Sequence, residues 1–288
     1  MISFYRKSIL AAVSLFLGCG QLLCAQKSIF WKITGPELKD TSYLFGTIHL
    51  IPSDQFFLPE GTEKALLSCQ KLVMEMDLSD PSLQLKLMSA MMMDSGKTLE
   101  SLYTPVRYKA LSRNIENKYG VSIEFFTRLK PVLLQQVLMM KSLSGTEFKS
   151  YEKELQTLAE KQSISIIGLE TVEEQVKALS AMPLEKQAES LFKTAKKRQV
   201  GQRAFRKMIA LYIEQDLEGM LSGISKENPD FNQYGDALLK NRNKNWIVPM
   251  RTMMAGGPVF FAVGAGHLGG KDGVIALLRA AGFRVTPF

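Results

Sequence analysis

The sequence predicts a mixed α/β (α+β) fold: a central sheet drawn from both ends of the chain, with a large helical insertion. Three observations lead there. Apolar, β-favouring runs recur early, at 29–34, 41–48 and 71–76, and late, at 163–168, 258–263 and 283–287. Stretches of helical spacing lie between them, at about 80–162 and 183–240. The two histidines of the chain each follow an apolar run and a Gly-x-x step, as Gly46-Thr47-Ile48-His49 and Gly264-Ala265-Gly266-His267. Each motif reads as a buried strand that halts at a glycine and delivers a histidine. Paired histidines at strand ends are a usual way to build a metal or acid–base site. The plainer reading is two half-buried rings satisfied by backbone carbonyls.

Taken in order, residues 1–25 stand outside the fold. Arg6 and Lys7, an apolar segment at 9–17 and a small-residue exit read as a secretory signal cleaved after Ala25. The expectation is an exported protein, periplasmic or extracellular, with one domain over 26–288. Cys19 loosely resembles a lipoprotein box, but Phe16 and Leu17 fit it poorly, so lipid anchoring ranks behind cleavage. Of three cysteines only Cys69 survives, which excludes an internal disulfide and a Cys-based zinc site. Its neighbours Leu66 and Leu67 place Cys69 in the core. Much of the net charge of +8 gathers at 193–207. A solvated helix face accounts for it first, and a membrane-surface contact second. No recognition motif accompanies it, so no nucleic-acid partner is expected.

The strands at 29–34 and 41–48 form a hairpin around Gly35-Pro36. Leu58-Pro59-Glu60 opens a helix through Leu67. The strand at 71–76 ends in acids. Glu75 and Asp77, two apart at the end of this strand, share a face, where they would bind a metal or act as a base; a cap or surface pair is the alternative. Asp80-Pro81, Thr104-Pro105 and Lys130-Pro131 start helices, the second ending at Gly120. Met88, Met91 and Met92 read as a core stripe ahead of a peptide groove. Thr171-x-x-Glu174 is a capping box that puts Glu170 at a strand-to-helix junction, where α/β folds place their sites. A long helical stretch at 183–224 and Asn241-Arg242-Asn243 lead to the second histidine strand. A helix at 273–281 and a strand at 283–287 close the chain.

These motifs, in this order, resemble the TraB/GumN family, which includes the TIKI metalloproteases. The resemblance runs over nearly the whole chain after residue 25. Its anchors are Trp31-Lys32-Ile33, Leu44 to His49, Val73 to Asp77, Lys130-Pro131, Gly168-Leu169-Glu170-Thr171 with Gln175, Arg242-Asn243 with Trp246, and Phe261 to Leu268. It implies an erythromycin-esterase-like fold and a metal-dependent hydrolase site at the two Gly-x-x-His motifs and a glutamate. Two histidines underfill such a site, which takes three protein ligands plus water. The expected ligands are therefore His49, His267 and Glu75, with Glu170 as the second choice of carboxylate. If Glu75 ligates, Glu170 or Asp77 is left as base; Glu75 as base is the other arrangement. Arg242 is placed to meet an oxyanion or a substrate carboxylate, or to form a structural ion pair. The resemblance tilts the divalent cation to manganese or cobalt, with zinc behind them. The expected function is a metal-dependent hydrolase, a peptidase acting on a peptide or protein substrate. The alternative is a peptide-binding protein of the same fold that sequesters without cutting. A third reading, an envelope protein using its basic helix, ranks below both. The oligomeric state has no signal in the sequence.

Overall fold

The computed structural model describes residues 27–78, 80–94, 96–143, 145–227 and 233–288. The expected signal segment, with Cys19 and Cys24, lies outside the described residues. The strands are β1 (Phe30–Thr34), β2 (Ser42–Thr47), β3 (Ile51–Pro52), β4 (Lys71–Met74), β5 (Phe148–Lys149), β6 (Ser165–Gly168), β7 (Val259–Gly264) and β8 (Arg284–Pro287). Six of them form one sheet in the order β6-β4-β7-β2-β1-β8, and β3 pairs with β5 apart from it. The six runs expected as strands are the six in this sheet. β1 and β2 make the expected antiparallel hairpin, and β8 pairs antiparallel with β1. β2, β7, β4 and β6 are all parallel. β7 sits between two parallel neighbours, and Val259 to Val263 are buried on both faces. That double burial is why its sequence is unbroken apolar.

The helices are α1 (Thr62–Leu67), α2 (Leu83–Met91), α3 (Pro105–Tyr119), α4 (Pro131–Ser142), α5 (Tyr151–Lys161), α6 (Val172–Leu179), α7 (Leu184–Lys196), α8 (Arg198–Ile213), α9 (Leu217–Glu227), α10 (Asn241–Ala255) and α11 (Val274–Ala280). Thr104 caps α3 by accepting from the Arg107 N–H at 3.4 Å, and left-handed Gly120 ends it at φ 64°. Both bonds of the Thr171–Glu174 capping box are present.

Some boundaries differ from expectation for identifiable reasons. α1 starts at Thr62, after left-handed Gly61 at φ 81°, and not at Pro59. Asp80 accepts from the Ser82 N–H at 2.8 Å, so Asp80-Pro81 forms a local turn ahead of α2 and does not cap it. The stretch at 183–224 breaks into three helices, at Lys197 (φ −125°) and at Gln215 (φ 56°). β4 stops at Met74, where its pairing with Gly168 ends, so Glu75 and Asp77 are not alternate residues of one strand.

Two apolar clusters form among the described residues. The larger wraps the sheet; the smaller joins α3, α4 and α7 through Leu111, Ile115, Leu134, Leu138 and Leu191. Arg198, from the basic stretch, turns inward and donates to Lys118 O at 2.6 Å and Ser142 O at 3.3 Å. It thereby neutralises the carbonyl ends of α3 and α4. Cys69 is buried, and burial pushes its thiol up to about 12, which suits a core residue and not a nucleophile.

Candidate functional site

β6, β4, β7 and β2 lie side by side and parallel, so their carboxyl ends leave the sheet together. Open α/β sheets put their ligands at such ends. Glu170, Glu75, His267 and His49 follow these four ends in turn. In the register of β2 with β7, Gly46 faces Val263 and Thr47 faces Gly264, so the two Gly-x-x-His turns are neighbours. Both glycines permit close approach. A Cβ on Gly46 would stand 3.0 Å from Leu268 Cδ2 and 3.2 Å from Ala265 Cα, in the second motif. A Cβ on Gly264 would stand 3.1 Å from Glu75 Oε1.

Arg242, on the first turn of α10, sits in the middle. Its Nε donates to Glu170 Oε2 at 3.0 Å, and its Nη2 donates to Glu170 Oε1 and to Glu75 Oε2, the latter at 2.5 Å. Its Nη1 donates to Leu238 O at 3.0 Å and faces His267 Nε2 at 3.1 Å. The guanidinium also lies 5.0 Å from the Trp246 ring. Glu75 further accepts from Gly264 N–H at 2.8 Å and Gln175 Nε2 at 3.1 Å. Burial opposes its ionisation, but His267, Arg242 and the Gly264 N–H outweigh it and bring the carboxyl down to about 2. Burial raises Glu170, and Arg242 only partly offsets it. Arg242 itself is held charged: burial opposes the charge, and Glu170 and Glu75 outweigh burial.

Each histidine has its Nδ1 tied down. Asn243 Nδ2 donates to two carbonyls, Asp272 O at 2.9 Å and His267 O at 3.3 Å, so its Oδ1 is the acceptor that meets His267 Nδ1 at 2.6 Å. His267 therefore carries its proton on Nδ1 and presents an Nε2 lone pair to the site. Its ring is buried and packs 4.5 Å from the Trp246 ring. Burial pulls its pKa down to about 4, so it is neutral at pH 7. His49 stands at the rim with a side chain 76% exposed, its Nδ1 2.8 Å from Glu152 Oε1. The Glu152 hydrogen bond raises His49 to about 9, a shift that water screens at so open a ring. Glu75 and Arg242 also act on the His49 charge.

The structure thus joins Glu75, Glu170, Arg242 and His267 by direct contact, and sets His49 beside them through the strand register. Gln175, Asn243 and Trp246 entered the sequence reading as anchors of a resemblance without a role; here they orient Glu75 and His267. Glu152 was missed, because in a helix start that also holds Glu154 it looks like any solvated acid.

The donors suit a divalent ion in kind. Each imidazole has its Nδ1 against a side-chain oxygen, the usual second partner of a metal-binding histidine. His267 Nε2 and Glu75 Oε1 lie 3.7 Å apart. One ion with ligand bonds of about 2.0–2.2 Å spans such a gap. The set is not drawn together, however: among the described residues no three His, Cys, Asp or Glu are grouped closely enough to hold an ion. Arg242 engages the same acceptors.

The family profile described as TraB/PrgY/gumN matches residues 29–287. The chain is 24% identical to metalloprotease TIKI2 of Danio rerio, over 90% of this chain and 60% of that protein. It is 25% identical to metalloprotease TIKI1 of Xenopus tropicalis, over 90% of this chain and 61% of that protein. It thus spans about three-fifths of the length of these relatives. No solved structure matches it.

Proposed function

We propose that this chain, which belongs to the TraB/PrgY/gumN family, is an exported metal-dependent hydrolase, a peptidase acting on a peptide or protein substrate. The observation that carries this reading is the pair of histidines at neighbouring strand ends, each with its Nδ1 held by a side-chain oxygen. His49, His267 and Glu75 would hold a divalent cation, manganese or cobalt ahead of zinc. When bound, such an ion polarises a carbonyl and lowers the pKa of water.

The residues of the chain do the rest. Asn243 and Trp246 hold the His267 ring in place. Gln175 and the Gly264 N–H orient the Glu75 carboxylate. Glu170, whose hold on a proton burial raises, is the carboxylate placed to take one up, and Arg242 keeps it within reach of Glu75. Arg242 supplies the positive charge for an oxyanion.

One observation favours the non-catalytic alternative: the N–H donors of Arg242 are already spent on Glu75, Glu170, Leu238 and His267. Two assays decide between the readings: elemental analysis of the purified protein, and cleavage of a peptide library with Mn²⁺ or Co²⁺, with and without chelator. The expected result is chelator-sensitive cleavage, abolished in His49→Ala, His267→Ala and Glu75→Gln. Wild-type rates in His49→Ala, or no ion bound under any condition, would leave the peptide-binding reading in its place. Export is tested by mass spectrometry of the mature protein, which should begin at Gln26.

A further inference from the structure

We infer that Glu152, on the first turn of α5, is a positioning residue that fixes the proton of His49 on Nδ1 and so presents Nε2 as the acceptor. The inference rests on the reading of His49 as a metal ligand. Glu152 Oε1 accepts from His49 Nδ1 at 2.8 Å and from Thr47 Oγ1 at 2.7 Å, and Oε2 accepts from Ser150 Oγ at 2.8 Å. Thr47 and His49 belong to the same Gly-x-x-His turn, so one carboxylate clamps that turn at two points. An ionised carboxylate only accepts, which places the proton on Nδ1 whether the ring is neutral or charged.

The clamp stands on a rigid base. Glu152 is itself only 14% exposed. The preceding residue, Tyr151, is fully buried, its hydroxyl donates to Phe57 O at 2.6 Å, and its ring lies 5.7 Å from Phe45 in β2. The helix start that carries Glu152 is therefore fastened to the strand that carries His49. His267 does not depend on its anchor in the same degree. That ring is enclosed by protein and packed at a tilt against Trp246, whereas the His49 ring is open to water and has little packing to hold its orientation. Glu152 supplies to His49 what burial and Asn243 together supply to His267.

The chain has two histidines, so its ring nitrogens can be read one by one. The experiment is nitrogen-15 NMR of histidine-labelled, ion-free protein between about pH 6 and 10, with His49 assigned by the signal lost in His49→Gln. In the wild type, His49 Nδ1 should stay protonated throughout, and the neutral ring should be the Nδ1–H tautomer. Glu152→Gln keeps an oxygen that can accept, as Asn243 does for His267, and should retain that tautomer. Glu152→Ala should move the proton to Nε2. His267 signals, unchanged in both variants, report that the fold is intact. The same series titrated with Co²⁺ should lose about 10–100-fold in affinity in Glu152→Ala and less in Glu152→Gln. A neutral Nε2–H ring in the wild type, or wild-type ring signals in Glu152→Ala, overturns the inference. If Glu152→Ala does not fold, the wild-type and Glu152→Gln spectra decide. If wild type binds no Co²⁺, the metal reading fails, while the ring spectra still judge Glu152.

Discussion

Arg242 carries more of this site than any other side chain. It is 12% exposed and pairs with two carboxylates, Glu75 at 12% and Glu170 at 5%. Removing it strands two buried acids. Arg242→Met should therefore cost about 3–5 kcal/mol in urea unfolding. Arg242→Lys should recover only part, because one ammonium cannot reproduce the planar fork. His267 sets the acid response of the ion-free protein. Its pKa falls from 6.5 unfolded to about 4 folded. Between those values the unfolded chain takes up a proton that the folded chain refuses, so stability should drop as pH falls through this window. The loss is on the order of 3 kcal/mol. His49, raised in the folded state, has its own window above pH 6.5 and adds little here. A flat urea midpoint from about pH 6.5 to 4, or the same slope in His267→Gln, would contradict this. At this scale the sequence showed the histidines, Glu75, Glu170 and Arg242, because strand ends and a family pattern mark them. It did not show Glu152, whose partner lies 103 residues away; a contact that distant leaves no local periodicity.

At the scale of elements, the four parallel strands explain why the motifs contain glycine. The Gly264 backbone N–H reaches Glu75 only because no side chain stands between them. Gly264→Ala should push the carboxylate away and raise its pKa, while the remaining sheet pairs persist. Carboxylate carbon shifts followed by NMR through an acid titration would show it, and an unmoved Glu75 would count against this account. Gly46→Ala meets Leu268 and Ala265 in the packed interior and should cost about 1–3 kcal/mol by overpacking. The strands themselves were legible, since buried parallel strands are continuous apolar runs. Their ends were less so. β4 stops where its partner β6 runs out, and that limit belongs to the pairing, not to either sequence.

Across the whole molecule, the sheet core and the helical cluster of α3, α4 and α7 divide the work. Leu134 is fully buried in the helical cluster, and Leu134→Ala should cost about 2–5 kcal/mol in thermal or urea unfolding. The His267 ring signals should not move, because Trp246, which packs on that ring, belongs to the other cluster; a shifted ring would mean the two cores are tightly coupled. The order of the strands has a consequence for biosynthesis. β7 lies between β4 and β2, yet it is made of residues 259–264. Until it emerges from the ribosome, β6-β4 and β2-β1 are two separate pairs with their inner edges bare. Contacts that span so much sequence close late. Most of the chain must therefore be made before the sheet can close, and the two pairs wait for β7 with their inner edges open to other strands.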